Sequence, residues 1–378
     1  MALPAQIAVS FDFSGGATFQ GNFTLGDSKL GLLGTGTLAA DQPSEPVIDL
    51  TPDVYQISIT RGRNIQRDQY EAGQCTVRVL DPLSYFNPQN VNSPYYGYLV
   101  PLRKLRVSAT TATTQKFLFS GYAIEYRYTY PTGQETGYVD IICQDAFRLF
   151  NMANVSTITN TTAGQDTGTR INKILDQVSF PSNMRTIATG LNTCIADPAT
   201  NRTSLAAIKN AEFSETGAFY MDGQGTAVFK NRTQVLSSLS ATPIEFNQTT
   251  GIPYRNLKYS FDDKLIINQA NFGRVGGTVQ TASNQTSIDK YFPHSITQTD
   301  LVAETDTMIG IDYFNNLKIT NVQPDGSTIV KNLQAQGIAW DITPNKMTTT
   351  ITTLEPIADA FVLDSAFYGI IGTSSFAY

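Results

Sequence analysis

The residues able to do chemistry are few and scattered. His294 is the one histidine of the chain; it follows Pro293 in a polar stretch, and no nucleophile signature accompanies it, so a Ser-His-Asp or Cys-His arrangement has no local support. Glu212 and Glu215 stand three apart on an expected helix end. A glycosidase would need such a carboxylate pair, but an ordinary solvated helix face carries the same spacing, and that is the expectation here. Gly273-Arg274-Val275-Gly276-Gly277 lacks both the Lys-Ser/Thr of a phosphate-cradling loop and the glycine order of a dinucleotide site. There is no His/Cys cluster, and Asp222-Gly223 and Asp262-Asp263 lack calcium-loop spacing. The expectation is a protein without metal or cofactor that is not an enzyme.

The three cysteines, Cys75, Cys143 and Cys194, form no C-x-x-C pair and cannot all be bridged within one chain. Cys75 runs in phase with Val77 and Val79, and Cys143 with Val139 and Ile141, which makes both small core residues of strands in a chain assembled in a reducing compartment.

The scaffold behind these residues is long and weakly charged. With 378 residues the chain has room for two or three domains. Hydrophobic residues make up 41% and charged ones only 15%, so the polar surface must come from Thr, Asn, Gln and Ser. The 18 Tyr and 21 Phe favour strands and broad protein contacts. A net charge of −6 argues against avid binding to nucleic-acid phosphate, and suits a wall past which DNA slides without sticking. The opening MALPAQIAVSFDF has no basic leader region, and no apolar run approaches the roughly 18 residues that would cross a bilayer, so neither secretion nor membrane insertion is expected.

Residues 1–45, rich in Gly, Thr and Phe, read as an arm ordered by a partner. From 46 to 155 the pattern has period two: Tyr55, Ile57 and Ile59 share one face of a strand, and similar alternation recurs at 75–79, 105–109, 122–130 and 139–143. That predicts an antiparallel sheet or barrel. Residues 156–250 read as a small α+β insertion. Ile171, Ile174, Leu175 and Val178 have helical spacing ended by Pro181; a second helix from Ser204 has Leu205, Ile208 and Phe213 roughly on one face; a hairpin turns at Asp222-Gly223-Gln224-Gly225. Strand signals resume in 251–356, with a helix near 301–316, and a strand and tail close the chain over 357–378. The fold class is mainly β with an α+β insertion.

One stretch departs from the acidic background. Between residues 55 and 107, seven basic side chains (Arg61, Arg63, Arg67, Arg78, Arg103, Lys104, Arg106) face three acidic ones (Asp68, Glu71, Asp81). The same stretch holds a loop stiffened by Pro82, Pro88, Pro94 and Pro101, whose Tyr85, Phe86, Tyr95, Tyr96 and Tyr98 pack either on their own sheet or on another subunit. Excess Arg, a stiff loop and clustered Tyr together make Arg61, Arg63, Tyr95, Tyr96, Arg103 and Arg106 the candidate subunit-interface residues.

Several of these segments resemble a signature of minor tail proteins of long-tailed bacteriophages. The matching parts are Arg61-Gly62-Arg63, Ala72-Gly73, Asn87-Pro88-Gln89-Asn90, Ser93-Pro94-Tyr95-Tyr96 and Arg103-Lys104-Leu105-Arg106. Phe119-Ser120-Gly121-Tyr122, Cys143-Gln144-Asp145-Ala146-Phe147, the stretch 215–222 with Phe229, and the closing LDSAFYGIIGTSSFAY continue it. The resemblance implies a baseplate-hub fold with two tube-like antiparallel β-barrel domains, assembled as a homotrimer in the virion after synthesis in the bacterial cytoplasm. It further implies a tail-tube or distal-tail ring on one side, a tail-tip or fibre protein on the other, and DNA passing through the lumen unbound. The alternative is a receptor- or carbohydrate-binding tail-tip adhesin; a lectin-like terminal domain would distinguish it, and none is evident.

Overall fold

The computed structural model describes residues 5–19, 47–64, 69–130, 136–237, 242–247, 252, 255–259, 269–272, 280–283, 293–299, 311–322, 328–343 and 346–354. Alternating sequence builds its first part as strands β1 (Gln6–Asp12), β2 (Val47–Asp49), β3 (Val54–Asn64), β4 (Gln69–Tyr70), β5 (Gln74–Leu80), β6 (Lys104–Thr110), β7 (Gln115–Thr129) and β8 (Tyr138–Gln144). In β5 and β8 the alternation is strict: Cys75, Val77 and Val79 are buried opposite Cys143, Ile141 and Val139. Both cysteines are thus core side chains, as their phase predicted. Tyr55 breaks the pattern. A register shift between Val54 and Gln56 against β5 turns it outward to 52% exposure, while Ile57 and Ile59 stay buried.

Helical spacing takes over in the insertion. It contains α1 (Phe147–Met152), β9 (Asn154–Val155), α2 (Thr167–Gln177), β10 (Arg185–Ile187), β11 (Arg202–Thr203), α3 (Ser204–Glu215), β12 (Ala218–Met221), β13 (Ala227–Lys230) and α4 (Arg232–Ser237). Asp166 caps α2 by accepting from the Thr169 amide at 2.9 Å, and Ile171, Ile174 and Leu175 turn inward. The expected hairpin forms, with Met221 paired to Ala227 across the turn. On α3 the expected face is wrong at one end. Ile208, Ala211, Glu212 and Glu215 are the buried stripe, and Phe213, five positions past Ile208 and so about 140° round the helix, is 83% exposed.

The remaining strands are β14 (Ile244–Asn247), β15 (Arg255–Tyr259), β16 (Gln269–Phe272), β17 (Gln280–Ser283), β18 (Pro293–Thr299), β19 (Asn316–Val322), β20 (Thr328–Thr343) and β21 (Lys346–Leu354). Residues 311–315 form a turn into β19; the rest of the helix expected near 301–316 lies outside the described residues, as do 20–45 of the expected arm and the closing segment 357–378. The main sheet runs β15-β18-β21-β20-β3-β5-β8-β7-β6-β1-β2, with β19 beside β20 and β14 beside β19. Antiparallel pairing of β3 with β20, from Ile57↔Ile342 to Gly62↔Gly337, joins the early strands to the late ones. One core therefore draws side chains from both halves, with Ile57, Val77 and Ile141 in the same cluster as Leu317, Ile338, Trp340 and Ile351. Among the described strands the sheet is open, and neither half closes into the expected barrel.

Candidate functional site

The candidate interface residues divide into a buried junction and an exposed loop. Arg61 lies in the junction. At 5% exposure it donates from Nη2 to the Met221 carbonyl at 2.9 Å and to Asp312 Oδ1 at 3.2 Å, and its guanidinium lies 5.0 Å from the centre of the Tyr313 ring. Burial works against its charge, but the fields of Tyr313, Asp312, Asp222 and Asp145 outweigh it and hold the pKa above the usual arginine value. Arg61 thus ties β3, β12 and the turn before β19 together inside one chain, a role the sequence did not separate from intersubunit docking.

Around it Tyr70, Tyr220, Tyr313 and Phe314 pack ring against ring at 5.0–5.8 Å. Arg63 lies 6.0 Å over Tyr70 and donates to Gln336 Oε1 at 3.4 Å. The backbone is tight here as well: a Cβ on Gly62 would meet the Gly337 Cα at 3.2 Å, and one on Gly223 would run into the Phe117 carbonyl. Close by, Asp145 is fully buried, accepting from the Gly73 amide at 2.6 Å and the Phe147 amide at 3.0 Å. Burial pushes its pKa up to about 7 against the pull of those two amides, Arg61 and Lys209.

Arg103 and Arg106 flank Lys104, which is completely buried and reaches Ser14 Oγ (2.7 Å), the Thr18 carbonyl (2.7 Å) and Asp12 (3.2 Å). Arg106 stacks on Phe19 and Phe117 at 4.5 and 4.7 Å, so this basic strand fastens the amino-terminal segment to the sheet. Arg103 donates to the Tyr98 carbonyl at 2.9 Å and so braces the loop.

The proline-rich loop between β5 and β6 is hydrogen-bonded along most of its length. Asp81 accepts from the amides of Tyr85 (2.7 Å) and Phe86 (3.0 Å), and turns follow at Ser84–Asn87, Asn87–Asn90, Asn90–Ser93 and Ser93–Tyr96. The two adjacent tyrosines part company. Tyr95 packs inward, its ring 5.2 Å from Phe86 and 5.3 Å from Phe13. Tyr96 is 50% exposed and shares the outside of the loop with Leu83, Val91, Tyr98 and Val100. This leaves an apolar surface on a fixed backbone.

The two glutamates do not form the solvated face expected of them. Glu212 accepts from the Phe219 amide at 2.7 Å and pairs with Lys209. Glu215, at 0% exposure, gathers Thr167 Oγ1 (2.7 Å), the Leu191 amide (3.0 Å) and the Asn192 amide (2.9 Å) onto one oxygen. It fixes the 188–195 loop to the end of α3. Helical spacing with Ile208 and Ala211 was the available signal, since it places both carboxylates on the buried stripe. Among the described residues no group of His, Cys, Asp and Glu is arranged to hold a metal ion, and no helix is long and apolar enough to cross a membrane.

The fold is shared with solved phage tail proteins. The chain superposes on a tail protein from Neisseria meningitidis with a TM-score of 0.55 at 9% identity, covering 80% of this chain and 92% of that one. The 43 kDa tail protein of prophage MuSo2 from Shewanella oneidensis gives 0.55 at 9% identity, covering 79% and 93%. The Francisella PdpA–VgrG complex gives 0.53 at 9% identity, covering 93% of this chain and 58% of that one. No family model matches the sequence, and no curated protein matches it significantly.

Proposed function

We infer that the chain is a structural virion protein: the hub ring at the tail tip of a phage, most simply a homotrimer, joining the tail tube or a distal-tail ring to a tip or fibre protein. The observation that carries this is a fold shared over nearly the whole length of two phage tail proteins. In this reading each half of the sheet supplies a tube-like wall, and the subunit acts by packing, with no catalytic step.

A conduit role is supported by the chemistry of one sheet face. Its cross-strand rows read Thr350–Ala339–Thr60–Gln74, then Thr348–Asp341–Ser58–Thr76–Ile142, then Gln56–Arg78–Asp140–Arg127. Hydroxyls and amides dominate. Arg78 is paired with Asp140 at 2.7 Å and Arg127 with Glu125 at 2.8 Å, so each cation in these rows is matched by a carboxylate. Such a face wets well and gives phosphate little to hold.

The test is imaging of particles made with and without this chain. A ring of it between tube and tip, and tubes lacking a tip in its absence, is the expected result; complete tips in its absence would reject the reading.

A further inference from the structure

Arg61, Arg78, Arg127, Arg185 and Arg202 each hold a carboxylate within reach. Arg106, half-buried on β6, holds none among the described residues. The two acids whose fields it feels are engaged elsewhere: Asp12 pairs with Lys104 at 3.2 Å, and Asp222 accepts from the Gln224 and Thr226 amides at 2.9 and 2.8 Å. Its Nε is buried without an acceptor, and Nη2 has only the Gln224 carbonyl at 3.4 Å, the outer limit of a hydrogen bond. Nη1 has no acceptor among the described residues and is not buried. Burial accordingly holds the pKa of Arg106 below the usual arginine value, against the pull of Asp12 and Asp222.

The side chain is held in place as well as short of acceptors. Its guanidinium lies 4.5 and 4.7 Å from the ring centres of Phe19 and Phe117, and the β12–β13 turn lies against Phe19, where a Cβ at Gly225 would meet the ring at 2.9 Å. Ser120 donates to the Gly223 carbonyl at 2.9 Å and ties that turn to β7. Ring faces attract a cation without taking up its in-plane N–H bonds. A guanidinium already fixed loses little freedom on docking, and a planar fork with open N–H groups favours a carboxylate.

We propose that Arg106 is the anchor for a carboxylate, an Asp or Glu side chain carried by a different protein of the tail, which seats on Nη1 and Nη2 beside the β12–β13 turn. Charge complementarity sets the chemistry of the partner. The source is a different protein because half-exposed acids of this chain are taken within it: Glu125 by Arg127, Asp176 by Arg185 and Glu245 by Lys318. One anchor is too little for a whole interface, so it belongs to a larger contact. The proposal rests on the reading of the chain as a tail component and adds the residue and the chemistry of the contact.

The experiment places a photo-crosslinking residue at position 224, where Gln224 is exposed and next to Arg106, in the full chain assembled into particles. The expected product joins that position to an Asp- or Glu-bearing segment of another tail protein. In parallel, purified full chain carrying Arg106→Gln or Arg106→Lys is added to tails made without it. Arg106→Gln should raise the concentration needed to complete them about 30-fold, the factor that corresponds to about 2 kcal/mol for a truncated charge pair, and Arg106→Lys, which keeps the charge, should recover part of it. Both variants lose the stacked guanidinium, so thermal unfolding of each measures the structural share. Losses that are equal in the two variants and follow their melting points overturn the proposal, as does a crosslink in complete particles to a second copy, to DNA or to nothing. Each of these leaves the tail reading standing; a chain absent from the particle overturns both.

Discussion

Arg61 and Asp312, 251 positions apart in sequence, meet at 3.2 Å where β3 passes the turn before β19. Asp312 is 38% exposed at its side chain, so the pair itself contributes modestly; what makes Arg61 costly to lose is its own burial and its bond to Met221. Arg61→Ala is expected to lower stability by about 2–3 kcal/mol, through an orphaned carbonyl and a void among the Tyr70, Tyr220 and Tyr313 rings. Arg61→Lys should recover only part of this, because an ammonium is more strongly hydrated and so costlier to bury, and it loses the flat guanidinium's packing on the Tyr313 ring. Denaturant melts of the two variants check the order; equal stability of Arg61→Ala and the parent would remove the junction from this account.

Asp145 makes stability depend on pH with a defined sign. Burial raises its pKa to about 7 in the folded chain, above the ordinary aspartate value, so the folded state keeps a proton that the unfolded state has released. The contribution of this group to stability is therefore greatest below about pH 4, declines as pH rises towards 7, and levels off above it, by at most about 4 kcal/mol. Glu212 and Asp222, also raised by burial, add to the same slope. Asp145→Asn should be less stable at low pH, since its amide cannot accept from both Gly73 and Phe147, and its stability should fall less between pH 4 and 7. Unfolding curves across that range decide it; an identical slope in both proteins rejects the assignment.

The strands, the hairpin and α2 were legible because each depends on local periodicity: Cys75–Val77–Val79 cannot alternate as they do and be anything but a half-buried strand. The joining of two β regions through β3 and β20 was not legible, since pairing partners nearly 280 positions apart leave no local mark. Arg61, Arg63 and Lys104 looked like surface charge because composition counts side chains without saying where they point. Glu215 looked solvated for the same reason, and Phe213 looked buried because Leu205 and Ile208 were fitted to a stripe that continues through Ala211 and Glu212 instead. The Tyr95-Tyr96 pair shows the limit most simply, since adjacent identical residues ended on opposite sides of one loop.

That pair also separates folding from assembly. Tyr95→Ala removes a ring packed among Phe13, Tyr85 and Phe86 and is expected to cost about 2–4 kcal/mol of stability. Tyr96→Ala, at a half-exposed position, should cost well under 1 kcal/mol while impairing incorporation into tails. Thermal unfolding and the yield of complete particles measure the two effects independently. Normal tails from Tyr96→Ala would take the outer loop surface out of the interface.

The last prediction concerns the hydroxyl-rich sheet face. Thr60, Ser58 and Thr76 occupy neighbouring cross-strand positions on it, and Thr60 and Ser58 are exposed. Replacing all three by Lys adds three cations where the present cations are each paired with a carboxylate, at a folding cost of a few tenths of a kcal/mol per site. If DNA passes this face, the triple variant should still form rings and particles but release DNA more slowly, because each added phosphate contact must be broken as the duplex moves. The delay should shorten as salt rises: three new contacts per subunit add about 2.7 to the slope of log affinity against log salt for the isolated protein binding duplex DNA. Ejection timed at two salt concentrations, beside a control with three lysines on the opposite edge of the molecule, reads this directly. Unchanged ejection from correctly assembled variant particles would mean that this face looks away from the conduit, and the hydroxyl-rich rows would then need another explanation.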